Sequence, residues 1–317
     1  MNNISFFSVV IPNYKRVEEL VRAVKSALSQ GDLVEEVIIV DDFSDNIQEI
    51  SDAIAALDSD KVSIIRNDFK SNAAQTRNQG GKAAKAQWVL LLDSDDVFLA
   101  GKLNAIKTSI EKVNNPKAVF YNKAQVWFDD KLEKIVPSRP LGKEEDISNY
   151  LFNDFEIMQT STLAIPKFFF DDIGFNESYK RHQDYDLCLS LYEAGFEFNM
   201  VDVQGTAIYW GSSTRPTDKG ESAEYSSKWI IENKYRITPE AFDNFYFYFV
   251  VLKLLRSGEK LKAVKEIKAI SDLSNISIKK KLMFLILFII PSFLMNGVYR
   301  VYKKLLTTFA SKRAGNS

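Results

Sequence analysis

Apolar residues fall in short blocks over the first hundred positions, and two periods alternate. Phe6 to Ile11, Val37 to Val40, Val62 to Ile65 and Trp88 to Leu92 are near-continuous apolar runs of strand length. Strands covered on both faces carry this pattern, which is typical of a parallel sheet flanked by helices. Between the runs, Val17, Leu20, Val21, Val24 and Leu28 follow helical spacing towards Gly31. A second helix is predicted from about Ile47 to Leu57. Asn72 to Ala84, Ala- and Gln-rich around Arg77, reads as a third that packs closely on the sheet. Pro12 is expected to end the first strand. The alternation predicts an α/β fold with a doubly wound, mostly parallel sheet.

From Ala118 the pattern changes. Val119-Phe120-Tyr121 and Val126-Trp127-Phe128 bracket a short polar segment, and Asp129-Asp130-Lys131 reads as a hairpin turn. Ile147, Tyr150 and Leu151 predict a short helix, and Thr162 to Ile165 a strand closed by Pro166. A helix should start at Asp184 and run to Ala194, followed by two strands, Phe198 to Val201 and Thr206 to Trp210. From about Ser222 the period is helical. The expected division is 1–215 for the α/β domain and 216–317 for a helical C-terminal region.

Three predicted strands end in polar clusters: Asn13 to Arg16, Asp41 to Asp45, and Asp93 to Asp96. Ligands of open α/β sheets sit beyond the carboxyl ends of the strands, where these residues emerge. Asp93, Asp95 and Asp96 repel one another unless a positive group lies between them, and a hard divalent cation, Mn²⁺ or Mg²⁺, suits three oxygen ligands. Asp and Ser also cap helices, and that use of the motif stays open. No G-x-G-x-x-G follows the first strand, which disfavours a dinucleotide fold. Gly80-Gly81-Lys82 is no phosphate loop, because Thr76 stands where its leading glycine belongs. The edge therefore offers an aromatic ring, cations and acids, an inventory for a base, a diphosphate and a metal.

Composition narrows the chemistry. A net charge of −1 gives no reason to expect nucleic acid as a partner. Cys188 is the sole cysteine and His182 the sole histidine. That excludes an internal disulfide and multi-histidine or cysteine zinc sites, and leaves Ser-His-Asp chemistry only if His182 itself is the base. The N-terminus lacks a basic leader, so the catalytic part is expected in the cytoplasm.

The strings "SVVIPNYKR", "VEEVIIVDDFSD", "NAAQTRNQG", "LLLDSDDVF" and "HQDYDLCLSLYEAG", in this order, resemble family 2 of the glycosyltransferases with the GT-A fold. Bacterial enzymes that build O-antigen and other surface polysaccharides are similar. The resemblance spans roughly Ser5 to Trp210. It implies a nucleotide-diphosphosugar donor, best guessed as UDP-glucose or UDP-galactose, lying on Pro12, Tyr14, Arg16, Asp41, Asp42, Arg77, Asp93 and Asp95. Tyr14 matches the position that faces the base, and Asp42 the one that hydrogen-bonds it, with Asp41 a close second. Asp93, Asp95 and Asp96 match the metal cluster.

Asp184 matches the catalytic base of an inverting mechanism, with Asp186 the rival carboxylate. Family members often carry Glu before this Asp; here it is Gln183. His182, Gln183 and Trp210 are candidates for the acceptor side, while a structural role for His182 and core packing for Trp210 remain open.

Lys279-Lys280-Lys281 precede eighteen uncharged residues, Leu282 to Tyr299, and Arg300, Lys303 and Lys304 follow. A helix lying in the membrane interface suits these flanks better than a spanning one. Segment 279–304 is therefore expected to hold the protein, peripheral or monotopic, on the cytoplasmic face of the inner (plasma) membrane. The acceptor would be a polyprenyl-diphosphate-linked saccharide. A sugar-phosphate nucleotidyltransferase and a non-catalytic carbohydrate-binding protein are the competing readings.

Overall fold

The structure, a computed structural model, describes residues 6–210 and 222–290. Contacts divide these residues into two compact units: 6–147 with 156–210, and 148–155 with 222–290.

The first unit is built on a nine-stranded sheet. Its parallel part is β1 (Phe7–Asn13), β2 (Val34–Asp41), β3 (Val62–Arg66) and β4 (Trp88–Leu91), in the order β3-β2-β1-β4. β5 (Val97–Phe98), β6 (Ala118–Phe128), β7 (Lys131–Val136), β8 (Leu163–Pro166) and β9 (Glu197–Trp210) complete it. The order continues β8-β6-β9-β5, with β7 on β6. β6 and β9 run parallel, while β8 is antiparallel to both β4 and β6.

Helices cover both faces of the parallel part. Leu20, Val24 and Ala27 of α1 (Glu18–Leu28), Ile50 of α2 (Ile47–Ala55) and Leu103, Ile106 and Ile110 of α4 (Lys102–Val113) pack on Val9, Ile11, Ile39 and Leu90. Each Leu, Ile or Val among them, fully buried, contributes about 1.5–3 kcal/mol. The opposite face, with Val10 and Val40, meets α3 (Ala73–Ala83) at Gly80. A Cβ there would lie 2.3 Å from Val10 Cγ1, so only glycine lets α3 sit this close. Arg77 is thereby held beside the strand ends.

Three details differ from the sequence expectation. β1 runs on through Pro12 to Asn13, pairing Pro12 with Val40 and Asn13 with Asp41. Val10 accepts the Leu92 amide (3.0 Å), so Pro12, two residues on, faces the side where the β4 pairing has already ended at Leu91. Its missing N–H costs no ladder bond. The two expected final strands are one, β9, because register shifts opposite Asn122 and Lys123 absorb the polar stretch between them. The two apolar runs after Ala118 likewise join in β6. The hairpin turn stands where expected, with Asp129 and Asp130 both at positive φ (46° and 59°) between β6 and β7. Asp and Asn tolerate that region better than bulkier residues.

The second unit is helical. α5 (Ile147–Phe152) leads into it, and α8 (Ala223–Glu232), α9 (Pro239–Tyr246), α10 (Leu252–Arg256), α11 (Lys260–Glu266) and α12 (Ile278–Ile289) make up the rest. Phe152 stacks edge-on with Phe245 (5.1 Å) and Trp229 (6.3 Å) at its centre. Residues 148–155 therefore group with the C-terminal helices rather than with the sheet.

Candidate active site

The carboxyl ends of β1, β2 and β4 carry most of the candidate residues. Beyond Asn13, Tyr14 is 42% exposed. Lys15 adopts positive φ (61°), and its amide donates to Ser44 Oγ (2.8 Å), which ties the first loop to the second.

The two neighbouring acids at the end of β2 are used differently. Asp41 is fully buried and accepts from Ser44 N (2.8 Å) and Ser44 Oγ (2.6 Å), so it shapes its own loop. Asp42 accepts through Oδ1 from Asn67, Ser71 N and Ser71 Oγ, and through Oδ2 from Lys70. Burial alone would raise its pKa, but Lys70 and Ser71 outweigh it and hold the carboxyl below its ordinary range. The Lys70 ammonium also lies over the Tyr14 ring, 3.7 Å from its centroid.

After β4 the chain turns through the acid cluster. Ligand oxygens of Asp93, Asp95 and Asp96 lie within 4.8 Å of one another. Arg77 Nη2 pairs with Asp93 Oδ1 (2.6 Å), and Arg16 Nη2 with Asp95 Oδ2 (3.1 Å). Asp96, fully buried, accepts from Ser161 Oγ (2.7 Å), and the same hydroxyl accepts the Asp93 amide (3.0 Å). Ser161 lies in a single turn, Thr160–Thr162, just before β8. Three oxygen-bearing side chains in this grouping match the donor set a hard divalent cation takes.

α7 (Gln183–Glu193) enters from the other half of the unit, and Arg77 joins the two. Its Nη1 donates to Gln183 Oε1 at 2.9 Å while Nη2 holds Asp93. Gln183 is fixed in turn by its own bond to Tyr179 O (2.7 Å). This chain thus places a neutral amide against the arginine. The Arg77 Nε finds no acceptor among the described residues.

Asp184, half-buried in the first turn of α7, accepts from the Tyr185 amide (3.1 Å). Burial is the largest influence on its pKa and raises it. The charge of Asp93 adds to the rise, and nearby backbone N–H groups and Arg77 offset part of it. Asp186 is buried and its amide bonds to His182 O (2.9 Å). His182 precedes the helix at positive φ (61°) and stacks on Tyr185, 5.8 Å between centroids.

The structure thus brings Arg16, Arg77, Asp93, Asp95, Asp96, Gln183 and Asp184 into one connected group. Pro12, Tyr14, Asp41 and Asp42 line the adjoining ends of β1 and β2. Trp210 ends β9 and packs beside the Val126–Ile208 cluster, with Lys134 over its ring at 5.0 Å. Sequence reasoning missed Asn67, Lys70, Ser71, Ser161 and Lys102. Lys102 is fully buried behind the acid cluster, and burial drives its ammonium well below the ordinary lysine value against the pull of Asp96. One signal was available for it. Lys102 stands four and eight residues before Ile106 and Ile110, on the apolar face of α4.

Known proteins carry the same pattern. A sequence model described as Glycosyl transferase family 2 matches residues 8–174, which is β1 through the short helix α6 (Phe168–Asp172). The chain is 31% identical over 268 residues to the amylovoran biosynthesis glycosyltransferase AmsB of Erwinia amylovora, covering 83% of this chain and 89% of that protein. It is 26% identical over 188 residues to the GalNAc(5)-diNAcBac-PP-undecaprenol beta-1,3-glucosyltransferase of Campylobacter jejuni, covering 59% of each. The crystal structure of S. aureus TarS 1-349 in complex with UDP-GlcNAc shares the fold, with TM-score 0.63 and 17% identity over 83% of this chain and 78% of that one. A family pattern that spans more than half of the chain, together with a relative aligned along most of it, makes this protein a glycosyltransferase of family 2.

Proposed function

We propose that the protein transfers a hexose, with inversion, from a UDP-sugar to a polyprenyl-diphosphate-linked saccharide during O-antigen or other surface-polysaccharide synthesis. UDP-glucose and UDP-galactose are the donors put forward. The observation that carries the proposal is the Arg77 guanidinium, which spans Asp93 (2.6 Å) and Gln183 (2.9 Å). In this reading it holds Asp184, the residue proposed as proton acceptor, beside a cluster suited to a diphosphate and its cation. The names of the relatives support the acceptor class: one is for amylovoran biosynthesis and another contains an undecaprenol diphosphate. TarS with bound UDP-GlcNAc supports a nucleotide-sugar donor on this fold.

In this reading Tyr14 stacks on the base and Asp42 accepts its N–H, while Pro12 and Asp41 shape the two loops. Asp93, Asp95 and Asp96 would hold Mn²⁺ or Mg²⁺, which when bound offsets the negative charge developing on the departing nucleoside diphosphate. Arg16 and Arg77 put two further positive groups against the same charge. Asp184 takes the proton of the acceptor hydroxyl as its oxygen attacks the anomeric carbon on the face opposite the leaving group. One protein carboxylate suffices, whereas a retaining glycosidase places two across the bond. His182 and Gln183 border the acceptor side, and Trp210 is offered as a stacking surface for a sugar ring.

The test is incubation with a panel of nucleotide sugars and a synthetic GlcNAc-diphosphate-lipid, read by mass spectrometry. One hexose added from a UDP-sugar is the expected result. Transfer from none of the donors contradicts the proposal.

The proposal includes a membrane surface. No described helix is long and apolar enough to cross a membrane. On α12, Ile278, Leu282, Leu285 and Ile289 form an exposed stripe at helical spacing, beside the exposed Lys279. Such a face suits an interface with anionic headgroups. The rest of segment 279–304, including Arg300, Lys303 and Lys304, lies outside the described residues. The protein should float with vesicles containing anionic lipid, and Leu282→Glu with Leu285→Glu should reduce the floated fraction. Equal flotation of that variant contradicts the membrane reading of α12.

A further inference from the structure

We propose that Lys102 is a positioning residue for the acid cluster, acting through Ser161, and that this pair sets how tightly the cluster holds a divalent cation. The proposal rests on reading Asp93, Asp95 and Asp96 as cation ligands.

Lys102 opens α4 with no exposed surface, an unusual place for a lysine. Its Nζ donates to Ser161 O (2.7 Å) and to Thr206 Oγ1 (2.9 Å), with the Phe98 ring 3.8 Å below it. Thr206 Oγ1 donates to the same Ser161 carbonyl (3.1 Å) and accepts from Asn122 Nδ2 (3.1 Å). The Ser161 peptide is therefore clamped from behind. Its hydroxyl, on the other side, accepts the Asp93 amide and donates to Asp96 Oδ2. One serine thus fixes the backbone at the first acid and the carboxylate angle at the third.

β9 accommodates the arrangement. A Cβ at Gly205 would lie 2.9 Å from Lys102 Cγ and 3.0 Å from Asn122 Nδ2, so the strand gives up a side chain where the lysine stem passes. The two bonds donated by Lys102 need only two N–H groups, so the clamp works with either an amine or an ammonium. An apolar residue would fill the same space on the Ile106–Ile110 face of α4. The lysine supplies what an apolar residue cannot, a grip on the carbonyl behind Ser161. Groups that orient metal ligands are worth a great deal to the site although they never touch the ion.

The experiment titrates Mn²⁺ into the full-length protein with UDP present, following free Mn²⁺ by electron paramagnetic resonance, for wild type, Ser161→Ala and Lys102→Met. Melting curves establish that each variant is folded. Both variants should bind Mn²⁺ about 10–100-fold more weakly. In the transfer assay the Mn²⁺ concentration for half-maximal rate should rise with it. A folded Ser161→Ala that binds Mn²⁺ like wild type overturns the proposal. Should Lys102→Met fail to fold, Thr206→Val takes its place by removing one of the two acceptors of the lysine. Weakened binding then supports the clamp, and unchanged binding overturns it. If wild type itself binds no Mn²⁺, the metal reading has failed, and this proposal with it.

Discussion

Asp184→Asn should leave a folded protein that binds donor and scarcely turns over. Asn has nearly the same shape, and its side-chain oxygen can still accept the Tyr185 amide, so the first turn of α7 persists. What it cannot do is take a proton. Losing a positioned general base costs about 10²–10⁴-fold in rate. The wild-type pH profile carries the same signature. Burial raises the pKa of Asp184 above its ordinary value of 3.8. The base works only when ionised, so activity is full at high pH and falls as pH drops through that raised pKa. The acid limb of kcat/KM should therefore lie above the ordinary aspartate range, and the residual activity of Asp184→Asn should lack it. Asp186→Asn is the control. If that variant is dead and Asp184→Asn is active, the base is Asp186.

The second large effect is expected at the acid cluster. Excess chelator should abolish transfer, and Mn²⁺ or Mg²⁺ should restore it. Charge stabilisation by a bound cation is worth several kcal/mol, and each 1.36 kcal/mol is tenfold in rate, so the loss should reach at least about 10³-fold. Asp95→Asn should mimic chelation at ordinary cation concentrations, because it removes a ligand charge and leaves Arg16 without its carboxylate at 3.1 Å. Full turnover in excess chelator contradicts the metal assignment.

The parallel part of the sheet was legible because β1, β2 and β4 are buried on both faces, which turns burial into a near-continuous apolar run; β3, at the edge, is only partly buried and showed through Val62, Ile64 and Ile65. The turn at Asp129 and Asp130 was legible through local backbone chemistry. β9 was not legible as one strand, since a polar stretch absorbed by a bulge reads as a break between two. Pro12 misled for a related reason: whether a proline ends a strand depends on which side its missing N–H faces, and that is a property of the neighbouring strand.

The site residues divide in the same way. Acids at strand ends stand out from the apolar runs beside them. Asp41 and Asp42, adjacent in sequence, were ranked only through the resemblance, because their difference in the fold lies in partners 3 and up to 29 residues away. The Arg77–Gln183 bond spans 106 residues, so nothing local announces it. Ser161 reads as one hydroxyl among the three of Thr160–Thr162 until the fold lays it between Asp93 and Asp96.

The central claim is a division of labour, in which the cluster holds the donor through a cation and Asp184 moves the acceptor proton. Calorimetric titration of UDP in the presence of Mn²⁺ into wild type, Asp95→Asn and Asp184→Asn tests it most directly. The account predicts affinity near wild type for Asp184→Asn and strongly weakened binding for Asp95→Asn. Equal affinity in all three proteins, or loss confined to Asp184→Asn, would contradict it.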